Sequence, residues 1–244
     1  MSGHSKWNNI KGRKGKADKE RGKLFSKIGR ELLMAVKEGG ADINANSKLR
    51  DVIAKAKSNN MPNDTIDKAI KKASGEDKDK MYEEVVYEGY GIGGVAVIVN
   101  GSTDNKNRTA AEVRHVFDKF GGNLGTTGCV SYLFNKKGVI IIEKGSCKLS
   151  EEDLMLQAID LGAEDFEASE EYYEITTAPE DFSNVREGLE KQGIEFEQAE
   201  VQMLPTTYIT LDSEQNRRMN LIIENLEELD DVLEIFHNWE ENEI

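Results

Sequence analysis

Residues 136–203 open on Lys136-Lys137-Gly138-Val139-Ile140-Ile141-Ile142-Glu143 and close on Glu195-Phe196-Glu197-Gln198-Ala199-Glu200-Val201-Gln202-Met203. Both ends read as strands, the first at Val139 to Glu143. Between them Glu151 to Leu161 has helical spacing, and Asp165 to Ala168 and Tyr172 to Thr177 read as two further strands. Ala178-Pro179-Glu180-Asp181 starts a second helix that runs to Gln192, with Pro179 in the first turn, where its missing N–H costs nothing. The order β-α-β-β-α-β is that of a ferredoxin-like unit, complete in itself. Its flanks are not complete. Upstream, Glu83 to Tyr90 and Val95 to Asn100 are strands joined by a Gly91-Ile92-Gly93-Gly94 turn. Asp104 to Phe120 is a helix with Ala110, Val113, Val116, Phe117 and Phe120 inward, stopped by Gly121-Gly122-Asn123-Leu124-Gly125. Cys129 to Phe134 reads as one more strand. Downstream, Tyr208 to Leu211 is a strand, Ser213 to about Glu228 a helix and Val232 to His237 a strand. Neither flank closes a sheet alone, and together they do. The prediction is an α+β chain whose middle domain, 81–135 with 204–244, carries 136–203 as an insertion.

Residues 1–80 are different in texture. Leu24, Ile28, Leu32 and Val36 recur every four residues, widened by Phe25 and Ala35, until Gly39-Gly40 stops the helix. A second helix fits Ser47 to about Asn59 (Leu49, Val52, Ile53 and Ala56 on one face). The third runs from Asn63, a plausible N-cap, through Ile66, Ala69, Ile70 and Ala73 to Gly75. Three amphipathic helices with short connections make a small N-terminal bundle. The Asn59-Asn60-Met61-Pro62 turn would also suit a helix-turn-helix, although plain packing is the commoner use of such a pair. Gly75-Glu76-Asp77-Lys78-Asp79-Lys80 is a polar linker to the sheet-forming remainder.

Charge separates the two parts. Overall the chain carries −14, yet residues 1–80 hold 20 Lys or Arg against 11 Asp or Glu, and residues 81–244 hold 12 against 35. The excess is steepest in 1–30, where ten cations face only Asp18 and Glu20, a net of +8. A stretch so charged, with Trp7 and Ile10 its only large apolar groups before Leu24, cannot bury a core of its own. A phosphate backbone is the commonest target of such a patch. The candidate nucleic-acid-binding residues are therefore Lys6, Trp7, Lys11, Arg13, Lys14, Lys16, Lys19, Arg21, Lys23, Lys27 and Arg30. They would form an extended arm anchored to the bundle by Leu24, Phe25 and Ile28.

Other functions find little support. No G-x-S-x-G elbow, Cys/His pairing or H-E-x-x-H is present, so no enzyme is expected. Gly91-Ile92-Gly93-Gly94 lacks the Gly-Lys-Ser/Thr ending of a phosphate loop and reads as a turn. Cys129 and Cys147 have no C-x-x-C spacing, which suits a reducing cytosol, and His4, His115 and His237 are scattered, so neither metal nor cofactor is expected. The run Glu224, Glu227, Glu228, Asp230, Asp231 could hold Mg²⁺, but its place at a helix end suits a solvated acidic face better. No apolar run is long enough for a membrane span, and the N-terminus has no apolar signal stretch. A secondary anion site is conceivable at Asn105, Lys106 and Arg108. Thr103 could cap this helix, and its first-turn cations oppose the helix dipole unless something negative sits nearby: a bound anion, Asp104, or an acid from elsewhere in the fold.

Gly3-His4-Ser5-Lys6-Trp7-x-x-Ile10-Lys11, Arg21-Gly22-Lys23-Leu24-Phe25, Thr103-Asp104-Asn105-x-Asn107-Arg108-Thr109, Glu112-Val113-Arg114 and Gly121-Gly122-Asn123-Leu124-Gly125 occur in that order. With these motifs the chain resembles the YebC family, which includes PmpR-type regulators and the mitochondrial translational activator of cytochrome c oxidase. Cys129, where serine is usual, and Asn100, where an acid is common, depart from the pattern. The resemblance implies a helical N-terminal domain and two α+β domains, a cytoplasmic location and a non-enzymatic role linked to nucleic acid. Family members are named as probable DNA-binding transcriptional regulators; others act on ribosomes, easing synthesis of proline-rich stretches. The residues themselves leave both open. An arm rich in Gly, Lys and Asn with one Trp suits irregular RNA, including rRNA, where an indole can stack on an unpaired base. A duplex reader more often offers a rigid helix with Arg, Asn or Gln at its start.

Overall fold

The computed structural model describes residues 19–75 and 82–240, Lys19 and Glu20 by their backbone alone. Three helices lead the chain: α1 (Lys19–Gly39), α2 (Ser47–Ser58) and α3 (Asn63–Ser74). One buried side chain closes the first and opens the second. Asn46 Oδ1 accepts from the Leu49 N–H at 2.9 Å, while its Nδ2 donates to the Ala35 and Gly40 carbonyls, each at 2.8 Å. Gly40 takes a left-handed φ of 81°, which ends α1, and a Cβ on Gly39 would lie 2.6 Å from the Asn46 amide. At α3 the expected cap is displaced by one residue. Asn63 is already helical, and the Pro62 carbonyl accepts from the Ile66 N–H at 3.2 Å.

Two α+β domains follow, one inserted in the other. The inserted domain runs β4 (Phe134–Glu143), α5 (Glu151–Leu161), β5 (Ala163–Ala168), β6 (Tyr172–Thr177), α6 (Phe182–Lys191) and β7 (Gln198–Pro205). The sheet order is β5-β6-β4-β7, with β6 antiparallel to both β4 and β5. This is the ferredoxin-like arrangement that the strand and helix order predicts. Register places Ile140 opposite Ile175 and Ile142 opposite Tyr173. These residues meet Leu154 and Ala158 of α5 and Phe182, Val185 and Leu189 of α6 in one core.

The enclosing domain runs β1 (Glu83–Tyr90), β2 (Ala96–Thr103), α4 (Lys106–Phe120) and β3 (Asn123–Leu124). After the insertion it resumes with β8 (Ile209–Thr210), α7 (Ser213–Glu227), β9 (Val232–His237) and β10 (Trp239–Glu240). Its main sheet has the order β3-β1-β2-β9 and is antiparallel throughout, so the strand after the insertion pairs with one before it. Val97, Val99, Val113, Phe117, Met219, Ile222 and Leu226 form the core under α4 and α7. The glycine turn between β1 and β2 is a single 3-10 turn, with Gly93 and Gly94 at φ 65° and 83°.

One expected strand is absent. Residues 129–133 form a turn and a 3-10 helix (Ser131–Leu133), and the strand begins only at Phe134. The cause lies 40 residues upstream. The buried Glu88 carboxylate accepts from the N–H groups of Gly128, Val130 and Ser131 at 2.8, 2.9 and 2.8 Å. Donors that a ladder would need are taken, and Gly128 at φ 87° bends the chain away from a strand.

The described residues fall into two units. One comprises 35–74 and 136–203; the other comprises 19–34, 75, 82–135 and 204–240. The division lies within α1, between Met34 and Ala35.

Candidate nucleic-acid interface

Of the eleven nominated residues, Lys6, Trp7, Lys11, Arg13, Lys14 and Lys16 lie outside the described residues, and only the backbone of Lys19 is described. Arg21, Lys23, Lys27 and Arg30 stand on α1. Spacings of four and three put Lys23, Lys27 and Arg30 on one helical face. All three turn to the corner where α7 ends and β9 begins. Lys23 pairs with the Glu228 carboxylate. Lys27 Nζ donates to the Glu227 carbonyl at 3.1 Å. Arg30 Nη1 donates to Asp231 Oδ1 at 3.0 Å, to the Ser102 carbonyl at 3.3 Å and to the Asp230 carbonyl, with its guanidinium over the Tyr82 ring.

Asp231 is the centre of this corner. Its side chain is only 7% exposed, and its second oxygen receives Arg108 Nη2 at 2.6 Å, Thr109 Oγ1 at 2.7 Å and Thr103 Oγ1 at 3.0 Å. Burial alone would push the Asp231 carboxyl up. Hydrogen bonds from Arg108, Thr109 and Thr103 outweigh it and hold the group below the usual carboxylate range. The same contact, with a second to Asp104 Oδ1 at 2.9 Å, raises Arg108 above its ordinary value.

Of the proposed secondary anion residues, Arg108 therefore already meets acids of the chain itself. Asn105, not Thr103, caps α4: its Oδ1 accepts from the Arg108 N–H at 3.1 Å, and Thr103 Oγ1 accepts from the Asn105 N–H at 2.9 Å. Lys106 pairs with Glu83 at 2.6 Å. The negative charge that the first turn of α4 requires comes from Asp231 and Asp104. Asp231 also departs from the solvated acidic face expected of its run, since it is buried, whereas Glu224, Glu228 and Asp230 are exposed.

A second cluster escaped the sequence reading. Arg186 on α6 is 2% exposed and donates through Nε to Asp51 Oδ1 at 2.8 Å, and through Nη1 to Glu190 Oε2 at 2.7 Å. Ser183 Oγ donates to the other Asp51 oxygen. Nearby, Arg50 Nε donates to Glu187 Oε1 at 2.6 Å, which keeps that carboxyl low, and Lys55 pairs with Glu200 at 3.1 Å. The signal was available in the helical phase, because Arg186 lies on the stripe of Phe182, Val185 and Leu189.

On α3, Lys68, Lys71 and Lys72 are exposed, but Asp64 and Asp67 occupy the start of the same helix. No helix of the described residues is long and apolar enough to cross a membrane, and among them no group of three or more His, Cys, Asp or Glu is placed to hold a metal.

Helices in front, a ferredoxin-like domain inserted in a second α+β domain, and cations concentrated in the N-terminal residues define a three-domain class of α+β protein. Within it, residues 82–239 match the family model described as TACO1/YebC second and third domain, and residues 5–76 match that of the TACO1/YebC protein N-terminal domain. The chain belongs to the TACO1/YebC family. A relative in Acetivibrio thermocellus is 65% identical over 240 residues, 98% of this chain and 99% of its own. Another in Ruminiclostridium cellulolyticum is 62% identical, covering 100% and 98%. Both are named probable transcriptional regulatory proteins. The crystal structure of a conserved hypothetical protein from Aquifex aeolicus is similar at a TM-score of 0.82, with 47% identity and 94% of each chain covered.

Proposed function

We propose that this protein is a non-catalytic, cytoplasmic nucleic-acid-binding regulator, a DNA-binding transcriptional regulator in the sense of its relatives' names, which engages phosphate through residues 6–30. The observation that carries the reading is charge segregation. The net of +8 in residues 1–30 stands against −23 in residues 81–244, so a polyanion is attracted at one end and repelled elsewhere. Lys6, Lys11, Arg13, Lys14 and Lys16 supply phosphate contacts, and Trp7 supplies a stacking surface.

A second reading, binding to ribosomal RNA as a translation factor that relieves stalling on proline-rich stretches, draws support from α3. If α2 and α3 read a duplex groove, the start of α3 would approach the bases, yet Asp64 and Asp67 stand there and repel phosphate. A contact led by the N-terminal segment has no such conflict and suits single-stranded or irregular RNA.

Crosslinking in cells followed by sequencing of the attached nucleic acid separates the two: promoter DNA supports the first, rRNA the second. In vitro, neutralising about five duplex phosphates gives a log–log salt slope of roughly −4 to −5. Lys11→Glu with Arg13→Glu is expected to abolish binding with unfolding unchanged. Affinity that is flat with salt, or retained in that variant, moves the site elsewhere.

A further inference from the structure

Three cations of α1 and the end of α7 are matched in a way that packing alone does not require. Glu224, Glu227 and Glu228 crowd the C-terminus of α7, where the helix dipole is already negative and the last carbonyls have no partner within the helix. Carboxylates at that end are unfavourable unless cations are brought to them. α1 brings them: Lys23 to the Glu228 carboxylate, Lys27 to the Glu227 carbonyl, and Arg30 to the Asp230 carbonyl and the Asp231 carboxylate. Four acceptors within five residues, 227, 228, 230 and 231, thus meet cations spaced along one helical face. Two of the four are carboxylates and two are carbonyls at the negative end of the helix dipole, and a phosphate backbone likewise offers acceptor-only oxygens in a row.

We propose that the end of α7 and the turn into β9 form an internal substitute for nucleic-acid phosphate, which holds the cations of α1 and is displaced from its exposed half by nucleic acid. The clasp is graded. At Arg30 it is buried, since Asp231 is 7% exposed; this end stays shut and anchors α1. At Lys23 it is open, with side chains 33% and 71% exposed, so water and salt compete for the pair. Nucleic acid bound by residues 6–16 would reach Lys23 and Lys27 next along the chain, and each cation freed from the α7 end becomes a phosphate contact. This inference rests on the nucleic-acid reading above and adds an internal competitor to it.

The test uses the full chain, a fluorescently labelled rRNA hairpin and a labelled DNA duplex, with affinity read by anisotropy between 50 and 200 mM salt. Glu228→Gln is compared with Glu152→Gln, an equal loss of charge at an exposed position of α5 in the other unit. Glu228→Gln is expected to tighten binding about threefold or more at low salt and to steepen the log–log slope by roughly 0.9 for each cation released. Glu152→Gln is expected to leave the slope unchanged. Equal effects of the two variants overturn the clasp while leaving nucleic-acid binding intact. Failure of the unsubstituted protein to bind either probe overturns the nucleic-acid reading itself, and the clasp with it. Because Glu228 is exposed, both variants are expected to unfold at the same temperature as the parent, which keeps folding out of the comparison.

Discussion

Each unit of this protein ties a leading helix to its α+β domain through one buried charge, and the two charges have opposite sign. In one, Asp231 accepts from Arg30 of α1 and from Arg108, Thr103 and Thr109. In the other, Arg186 donates to Asp51 of α2 and to Glu190. A buried carboxylate can be satisfied by hydroxyls as well as cations, so Asp231 divides its demand among four side chains. A buried guanidinium has only donors and must be met by acceptors, which three carboxylates supply to Arg186. The Asp231 centre leaves its cations partly in water (Arg30 21% exposed, Arg108 45%), whereas Arg186 is itself enclosed. The first can relax when broken. The second cannot.

The largest expected effect therefore belongs to Arg186. Arg186→Ala removes a large, fully buried side chain and leaves Asp51 without its cation, and about 3–5 kcal/mol of unfolding free energy should go, seen as a fall in urea midpoint with little change in slope. Asp231→Asn is expected to cost about 2 kcal/mol at neutral pH, since Arg30 and Arg108 can rehydrate while the hydroxyls keep an acceptor. It should also flatten the acid dependence. Asp231 is held below its unfolded value, so its contribution is complete above roughly pH 4 and is lost as pH falls through the folded value. Unfolding followed from pH 6 to pH 2 should show the parent losing more stability than the variant. Arg30→Lys is the mildest, at about 1 kcal/mol, because a single ammonium cannot serve Asp231, Asp230 and Ser102 from one position. An Arg186→Ala cost no larger than that of Asp231→Asn would dissolve the contrast between the two centres.

The difference also shows what the sequence made legible. Strand and helix order in 136–203, the closing of one sheet by strands from both sides of the insertion (β2 with β9) and the ends of α5, α7 and β9 followed from periodicity and turn residues, which are local. Asp231 did not, because periodicity stops at the end of α7 and nothing nearby distinguishes it from Glu227, Glu228 or Asp230. What turns it inward is Arg108, 123 residues away. The same reason hides Glu88, whose hold on residues 128–131 overrides the strand-like pattern of Cys129 to Phe134. The cap expected at Thr103 falls on Asn105, and the Thr103 hydroxyl instead accepts from the Asn105 N–H. For the candidate interface, the sequence identified the cations of α1 by their number, while the partners that occupy Lys23, Lys27 and Arg30 come from about 200 residues further on.

Glu88 has one more effect, on redox chemistry. Cys129 sits in the middle of the loop that this carboxylate shapes, and its thiol is pushed up, first by burial and then by the Glu88 charge. Thiolate is the form that oxidants and electrophiles attack, so burial, with the charge of the same carboxylate that shapes the loop, favours the less reactive thiol. Sulfenic acid and mixed disulfides form slowly at such a position. Glu88 thus has two consequences in one loop: its oxygens fix the backbone of 128–131, and its charge adds to burial in lowering the thiolate fraction of Cys129.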